Sequence, residues 1–218
     1  MRYEKKYEIP IGYSNIISNY LKSIGFNEIF KSRVVTSLYY DDAYFTNYKE
    51  SNIGLSTRTK IRARYYDFNK FNFNIEFKRK EDELNMKKFL TPSSRVIGKH
   101  LPLNGDVKDN PHIGIKLPEN IMNIYYPKVL VSYLRNYFLS SDQIYRITID
   151  TKINFFKAIN LDNEIFINNN RTLNQSVLEI KYPNNGVENL EIINLISNKF
   201  NLIQSKFSKY CKAVSFCF

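Results

Sequence analysis

Between Arg58 and Arg64 the chain reads Arg58-Thr59-Lys60-Ile61-Arg62-Ala63-Arg64. On an extended strand successive side chains point to opposite faces, so this segment sets Arg58, Lys60, Arg62 and Arg64 on one side and Thr59, Ile61 and Ala63 on the other. The same every-second-residue charge recurs in Arg2/Glu4/Lys6/Glu8, Glu76/Lys78/Lys80, Arg146/Thr148/Asp150/Lys152 and Glu179/Lys181. A single segment of this kind is an ordinary solvated face. A set of them spread along one chain points to a shared polar interior.

The chemistry open to such an interior follows from its charges. Burying an unpaired cation carries a desolvation penalty on the order of several kcal/mol. Glu4, Glu76, Asp150 and Glu179 offset part of it, and the positive excess that remains calls for an anionic ligand. The guanidinium fork matches phosphate oxygens in bidentate fashion, so a run of phosphates is the expected occupant. Interleaved carboxylates supply the oxygen ligands that Mg2+ or Mn2+ prefers. Phosphoryl transfer needs in-line placement and surrounding cations more than covalent help from the protein, and this set of residues offers both.

The elements that must hold these residues can be read from periodicity. After the first strand, Ser14 is placed to cap a helix with apolar positions Ile16, Ile17, Tyr20, Leu21 and Ile24, and Gly25 to stop it. Arg33 to Tyr40 reads as a strand, Asp41-Asp42-Ala43 as a turn, and Phe45 to Lys49 as a short helix. Arg58 to Lys80 reads as a hairpin turning at Asp67-Phe68-Asn69-Lys70, extended by a strand over Asn85 to Leu90. Thr91 to Pro127 is rich in proline and glycine and reads as an insertion of loops with short helices. Strands resume at Val129 to Tyr137, Tyr145 to Phe156 and Ser176 to Lys181, and Leu190, Ile193, Ile196 and Phe200 form the stripe of a late helix. The total is about eight strands with flanking helices, an α+β chain. If the charged faces line a closed antiparallel barrel, the opposite parity packs: Tyr3, Lys5 and Tyr7; Ile61, Ala63 and Tyr65; Ile75 and Phe77; Ile147 and Ile149; Leu178 and Ile180. Lys5 is the misfit.

At 218 residues the chain is long enough for a real core or a closed barrel, and residues 1–218 are expected to form one domain. Its 43% hydrophobic content, with 17 Tyr and 16 Phe, excludes a disordered chain. Lys and Arg total 32 against 21 Asp and Glu, a formal charge of +11 that favours polyanions. The basic residues alternate with carboxylates along strands instead of clustering in arms, so nucleic acid is not the expected partner. Cys211 and Cys217 form no zinc-type pair, and the isolated His100 and His112 have no metal spacing. With no apolar signal core and no bilayer-length apolar run, a soluble cytoplasmic protein is expected.

Taken in order, eight segments carry a family likeness: Glu4-Lys5-Lys6-Tyr7; Thr36-Ser37-Leu38-Tyr39-Tyr40-Asp41; Arg58-Thr59-Lys60-Ile61-Arg62-Ala63-Arg64-Tyr65-Tyr66; Ile75-Glu76-Phe77-Lys78-Arg79-Lys80; Tyr133-Leu134-Arg135; Arg146-Ile147-Thr148-Ile149-Asp150-Thr151; Val177-Leu178-Glu179-Ile180-Lys181; and Ser205-Lys206-Phe207-Ser208-Lys209-Tyr210. Each is weak alone, but their order is specific. The chain resembles the VTC domain, the catalytic domain of vacuolar transporter chaperone polyphosphate polymerases and their bacterial relatives, within the triphosphate tunnel metalloenzyme or CYTH-like superfamily. The likeness runs from Arg2 to Val214.

The resemblance implies a closed antiparallel tunnel whose basic interior binds a nucleoside triphosphate and a polyphosphate chain. By position it implies Lys6, Arg62, Arg64, Lys78, Arg135 and Lys209 as phosphate ligands, and Glu179 as the carboxylate for Mn2+ or Mg2+. Arg58, Lys60, Lys88, Arg146, Lys181 and Lys206 are further tunnel cations. Glu4 and Glu76 are secondary metal candidates, or else salt-bridge partners of tunnel arginines. Asp150 is expected to be structural, Ser208 to hold the Lys209 loop, and Tyr39, Tyr40 and Asp41 to pack and turn. Because inward cations repel one another, Arg62→Ala and Lys209→Ala are expected to leave the fold intact. Eukaryotic members carry a sensor domain and transmembrane helices that this chain does not show, so coupling to transport would need a membrane partner protein. Three activities are compatible with these residues: transfer of the terminal phosphoryl group of ATP to a growing polyphosphate, hydrolysis of a triphosphate in the same tunnel, or binding of polyphosphate or nucleotide without turnover.

Overall fold

Strand alternation and helical stripes of the kind described above become fourteen elements in the computed structural model, which describes residues 2–69, 73–81, 84–90, 112–113, 125–161, 164–183 and 190–218. In chain order they are β1 (Arg2–Pro10), α1 (Tyr13–Ser23), β2 (Phe26–Asp41), α2 (Thr46–Ile53), β3 (Arg58–Tyr66), β4 (Asn74–Glu81), β5 (Leu84–Leu90), β6 (His112–Ile113), β7 (Tyr126–Ser140), β8 (Arg146–Leu161), β9 (Glu164–Thr172), β10 (Gln175–Pro183), α3 (Glu191–Lys199) and α4 (Lys209–Cys217). The chain is α+β. The pairings β1–β10, β10–β8, β2–β3, β3–β4, β4–β5, β8–β9 and β6–β9 are all antiparallel. Among the described residues no helix is long and apolar enough to cross a membrane.

The chain divides into two compact units, and three long strands, β2, β7 and β8, contribute to both. The first unit comprises Met1–Arg33, Tyr133–Ile153 and Leu173–Phe207. Within it Tyr7, Ile147, Ile149, Leu178 and Ile180 form one apolar sheet face, and α1 and α3 cover that face with Ile17, Leu21, Ile193 and Ile196. Lys5 shares the parity of this face, opposite Ile180, and is half-buried. A lysine there can keep its aliphatic stem in contact with the sheet and its ammonium in water.

The second unit comprises Val34–Ser132, Asn154–Thr172 and Ser208–Phe218. Its core gathers Leu38, Tyr40, Ile61, Ala63, Tyr65 and Ile75 with Leu130, Phe156, Ala158 and Ile165. In both units the core residues named here are those of the expected packing parity.

Several local expectations change. Ser14 does not cap α1; Gly12 holds that position, and the Ser14 hydroxyl donates to the Ile11 carbonyl at 3.0 Å. β2 starts at Phe26, directly after Gly25, although Asn27 to Ser32 are exposed and show no alternation to reveal it. β6, β9 and α4 were not legible as elements. The reading of Thr91 to Pro127 falls outside the described residues, apart from β6 and residues 125–127.

Gly25 ends α1 with φ +89°, a conformation that L side chains resist, and a Cβ there would stand 3.3 Å from Ser141 Oγ. Gly25→Ala is expected to lower the unfolding free energy by about 1–2 kcal/mol in urea denaturation.

Candidate functional site

In the second unit the strand register lines charged side chains up in rows. Ser37 stands opposite Arg64; Tyr39 stands opposite Arg62, which faces Glu76 on β4. The next row sets Lys60 opposite Lys78 and Lys78 opposite Lys87, and the row after it sets Arg58 opposite Lys80. Like charges directly across a strand pair destabilise a sheet. These last two rows set cation directly opposite cation.

Arg62 is fixed from two sides. Its Nε donates to Glu76 Oε2 at 2.7 Å, its Nη2 lies 2.5 Å from the same oxygen, and its Nη1 donates to the Tyr39 hydroxyl at 3.1 Å. Arg64 donates from Nε to Ser37 Oγ at 3.0 Å, and its Nη1 lies 3.9 Å from Glu76 Oε1. Glu76, 4% exposed, thus serves as partner to both arginines, the salt-bridge alternative for this residue. The expectation that Arg62 can be removed without structural cost changes with it, because that change deprives a buried carboxylate of its nearest cation.

Lys60 Nζ donates to Ser208 Oγ at 2.9 Å. The same hydroxyl accepts the Cys211 N–H at 3.3 Å and so caps α4, whose first residue is Lys209. Tyr210 follows, and its hydroxyl donates to the buried carboxylate of Asp41, which also accepts the N–H groups of Asn47 and Tyr48 at 3.0 and 2.9 Å. Burial and the Asp41 charge push the Tyr210 phenol up, so it stays a donor. Ser208 therefore holds the start of a helix and not only a loop, and Asp41 ties that helix to the end of β2.

In the first unit the rows run across β1, β10 and β8: Glu4, Lys181 and Arg146; Lys6, Glu179 and Thr148; Glu8, Val177 and Asp150. Lys6 Nζ lies 2.7 Å from Glu4 Oε1 and 4.0 Å from Glu179 Oε2, and it donates to the Phe207 carbonyl at 3.3 Å. Lys181 Nζ lies 2.6 Å from Glu179 Oε1 and 3.9 Å from Glu4 Oε2. Two carboxylates thus share two ammonium groups. Arg135 donates from Nε and Nη2 to the two oxygens of Asp150 at 2.5 and 2.7 Å, and Asp150 is fully buried. Burial works against the Arg135 charge, and Asp150 beside it outweighs that and holds its pKa above the ordinary value. Asp150 is structural as expected, and what it supports is a guanidinium assigned to phosphate. Arg146 and Lys206 are exposed, and the Ser205 N–H next to Lys206 donates to the Lys6 carbonyl at 2.8 Å.

Three residues take places that the sequence reading did not give them. Tyr39 shares the parity of Ser37 and faces Arg62, a signal present in the alternation of β2. Lys87, and not Lys88, falls in the row of Lys60 and Lys78; Lys88 stands opposite Phe77, in the row of Ile61. The alternation of β3 and β4 alone could not fix the register of β5. Thr148, opposite Glu179, has its hydroxyl buried with no hydrogen-bond partner among the described residues.

The profile of the VTC domain spans residues 1–218. The chain belongs to the VTC domain family. No curated protein matches its sequence. Among solved structures, this VTC domain is similar to a Vibrio parahaemolyticus protein provisionally described as an adenylate cyclase, at 13% identity and TM-score 0.54 over 98% of this chain and 97% of that one. It is similar as well to a Hippeastrum protein, provisionally an adenylyl cyclase and described as having a dominant triphosphatase activity, with 13% identity and TM-score 0.54 over 100% of this chain and 97% of the other. A Pyrococcus horikoshii protein matches with 10% identity and TM-score 0.50 over 99% of both chains. At these identities the likeness is one of fold.

The Arg62–Glu76 pair makes an energetic prediction for this VTC domain. Arg62→Ala is expected to cost about 3 kcal/mol of stability, the scale of breaking a buried pair. Arg62→Ala/Glu76→Gln should recover a large part, and urea titration of the two variants makes the comparison.

Proposed function

We propose that residues 1–218 act as one tunnel domain, a metal-dependent polyphosphate polymerase that transfers the terminal phosphoryl group of ATP to a growing polyphosphate. In this reading the charged strand faces line a closed antiparallel barrel. The observation that carries it is the run of cationic rows across β3 and β4, with Lys60 facing Lys78 and Arg58 facing Lys80. Cations set opposite one another repel, and several phosphates in line would offset that repulsion.

Lys6, Arg62, Arg64, Lys78, Arg135 and Lys209 are assigned to the phosphates, with Arg58, Lys60, Lys181, Arg146 and Lys206 extending the track and Lys87 taking the place first given to Lys88. A terminal oxygen of the polyphosphate attacks the γ-phosphorus, the bond to the bridging oxygen breaks, and ADP leaves. The guanidinium and ammonium groups bear the charge that moves between the oxygens, and their carboxylate partners keep them in place without reorganisation during the step.

The carboxylates assigned to a divalent cation are Glu179 and Glu4. They fit: one ammonium, Lys6, already contacts both at 4.0 and 2.7 Å, so a cation between them is compatible with the backbone. Among the described residues no group of three or more acidic, His or Cys side chains gathers, so Mn2+ or Mg2+ would rely on substrate oxygens for the rest of its shell, as Mg2+ commonly does. When bound, the ion would neutralise phosphate charge and align the oxygens.

Incubation of the pure protein with ATP and Mn2+ should yield phosphate chains longer than triphosphate, resolved by gel or phosphorus NMR. Glu179→Gln should lower turnover on the order of a hundredfold or more, the scale of losing one electrostatic contact to the transferring group. Release of orthophosphate from tripolyphosphate with no chain growth would assign the tunnel to hydrolysis with water as acceptor. Tight binding without turnover of either kind would make it a polyphosphate- or nucleotide-binding module.

A further inference from the structure

The sequence offers Tyr39 as a packing residue, and it is 4% exposed. Its surroundings are not those of a packing tyrosine. The hydroxyl accepts from Arg62 Nη1 at 3.1 Å, and the guanidinium carbon of the same arginine lies 5.8 Å from the ring centroid. On another side the ring stacks on Tyr210, with centroids 5.1 Å apart and planes 22° apart. Tyr210 adjoins Lys209 and is itself locked by Asp41. Two residues assigned to the phosphates, Arg62 from β3 and Lys209 from α4, therefore meet around one phenol.

We propose that Tyr39 is a positioning residue of the phosphate site, holding the Arg62 guanidinium through its hydroxyl and linking it to Lys209 through the stacked Tyr210. The inference rests on the phosphate-binding reading of Arg62 given above.

The geometry shows what the hydroxyl adds. Glu76 holds Arg62 by Nε and Nη2 through the one oxygen Oε2, so the direction of the guanidinium plane about that oxygen is left to another contact. Tyr39 sets it. With both acceptors in place the guanidinium plane is held at two points. A fork held in one plane offers N–H groups to phosphate oxygens in a fixed direction. Phenylalanine would keep the ring, the stack and the volume and would free Nη1.

The charges around the phenol give this role a signature. Burial raises the Tyr39 pKa, but the charges of Arg62, Arg64 and Lys209 and the Arg62 hydrogen bond outweigh it and bring it down to about 8. Glu76 is engaged by the arginines and Tyr210 and Asp41 with each other, while Lys60 and Lys78 stand one row along the same strands and Cys211 and Lys212 follow on α4. Below pH 8 the phenol is neutral and directs Arg62; above it, a phenolate competes with phosphate for the same guanidinium. The depressed value also means that this group adds folding stability as pH rises from about 8 toward its ordinary value of 10, so weaker binding in that window would not come from unfolding.

The test is binding of inorganic tripolyphosphate to the wild type and Tyr39→Phe by calorimetry, without metal, from pH 6.5 to pH 9 in about half-unit steps, a range that brackets the titration. Taking the ratio of the two affinities cancels the titration of the ligand itself. The expected result is wild-type binding about tenfold tighter at pH 7, the scale of one charge-assisted hydrogen bond, with the advantage shrinking as pH passes 8. A ratio near one, or one that does not change with pH, overturns the inference and leaves the phosphate reading standing. Absence of wild-type binding overturns both. Should Tyr39→Phe fail to fold, the wild type alone decides: one tyrosine should titrate near pH 8 by absorbance at about 295 nm, with its midpoint raised by tripolyphosphate, and no such step would rule the role out.

Discussion

A strand can be apolar on one side and cationic on the other only while its register holds. Because the side-chain period is two, a slip of one residue on β3 would turn Ile61, Ala63 and Tyr65 out of the core and drive Arg58, Lys60, Arg62 and Arg64 into it. Every charged row in either unit depends on this. The apolar parity, packed under α1 and α3 in the first unit and against β7, β8 and β9 residues in the second, is what pays for holding cations opposite cations on the reverse side.

The carboxylates divide into two kinds of work. Asp150 and Glu76 are buried and hold guanidinium groups, Arg135 in one unit and Arg62 in the other, each through Nε and Nη2. Such a partner spends one edge of the fork and fixes the direction of the rest. Glu4 and Glu179 instead meet lysine ammonium groups, which are compact, flexible and easily displaced. Arginines held by acids make durable fixtures for an anion, whereas acids held by lysines can exchange one cation for another.

The sequence carried the alternation and so the two faces. Ile61, Ala63, Ile147, Ile149, Leu178 and Ile180 pack as their parity requires, and Gly25 stops α1 as its spacing implies. What it hid are features set by distant partners. Asn27 to Ser32 of β2 are exposed on both sides, and a strand with no buried face has no period to read. α4 begins at Lys209 because Ser208 caps it and Tyr210 finds Asp41, a partner 169 residues away in sequence. The order of basic segments was legible, but which acid holds which base was not. Glu76 meets Arg62 at a distance that no spacing could give, and Lys87 took its row only once β5 was in register with β4.

The pairing of β1 with β10, from Arg2 opposite Pro183 to Pro10 opposite Gln175, has a consequence for the order of assembly. β3, β4 and β5 pair with their sequence neighbours and can zip together across short turns as they emerge from the ribosome. Glu4 cannot meet Lys181 until the residues between them have been made, and the chain entropy lost in that distant closure delays it further. A nascent chain therefore displays its arginine rows before it owns the glutamate pair, and for that interval it is a polycation searching for a counterion. Polyanions already present in the cell can meet it then, as scaffolds for the half that is folded and as competitors for the half that is not.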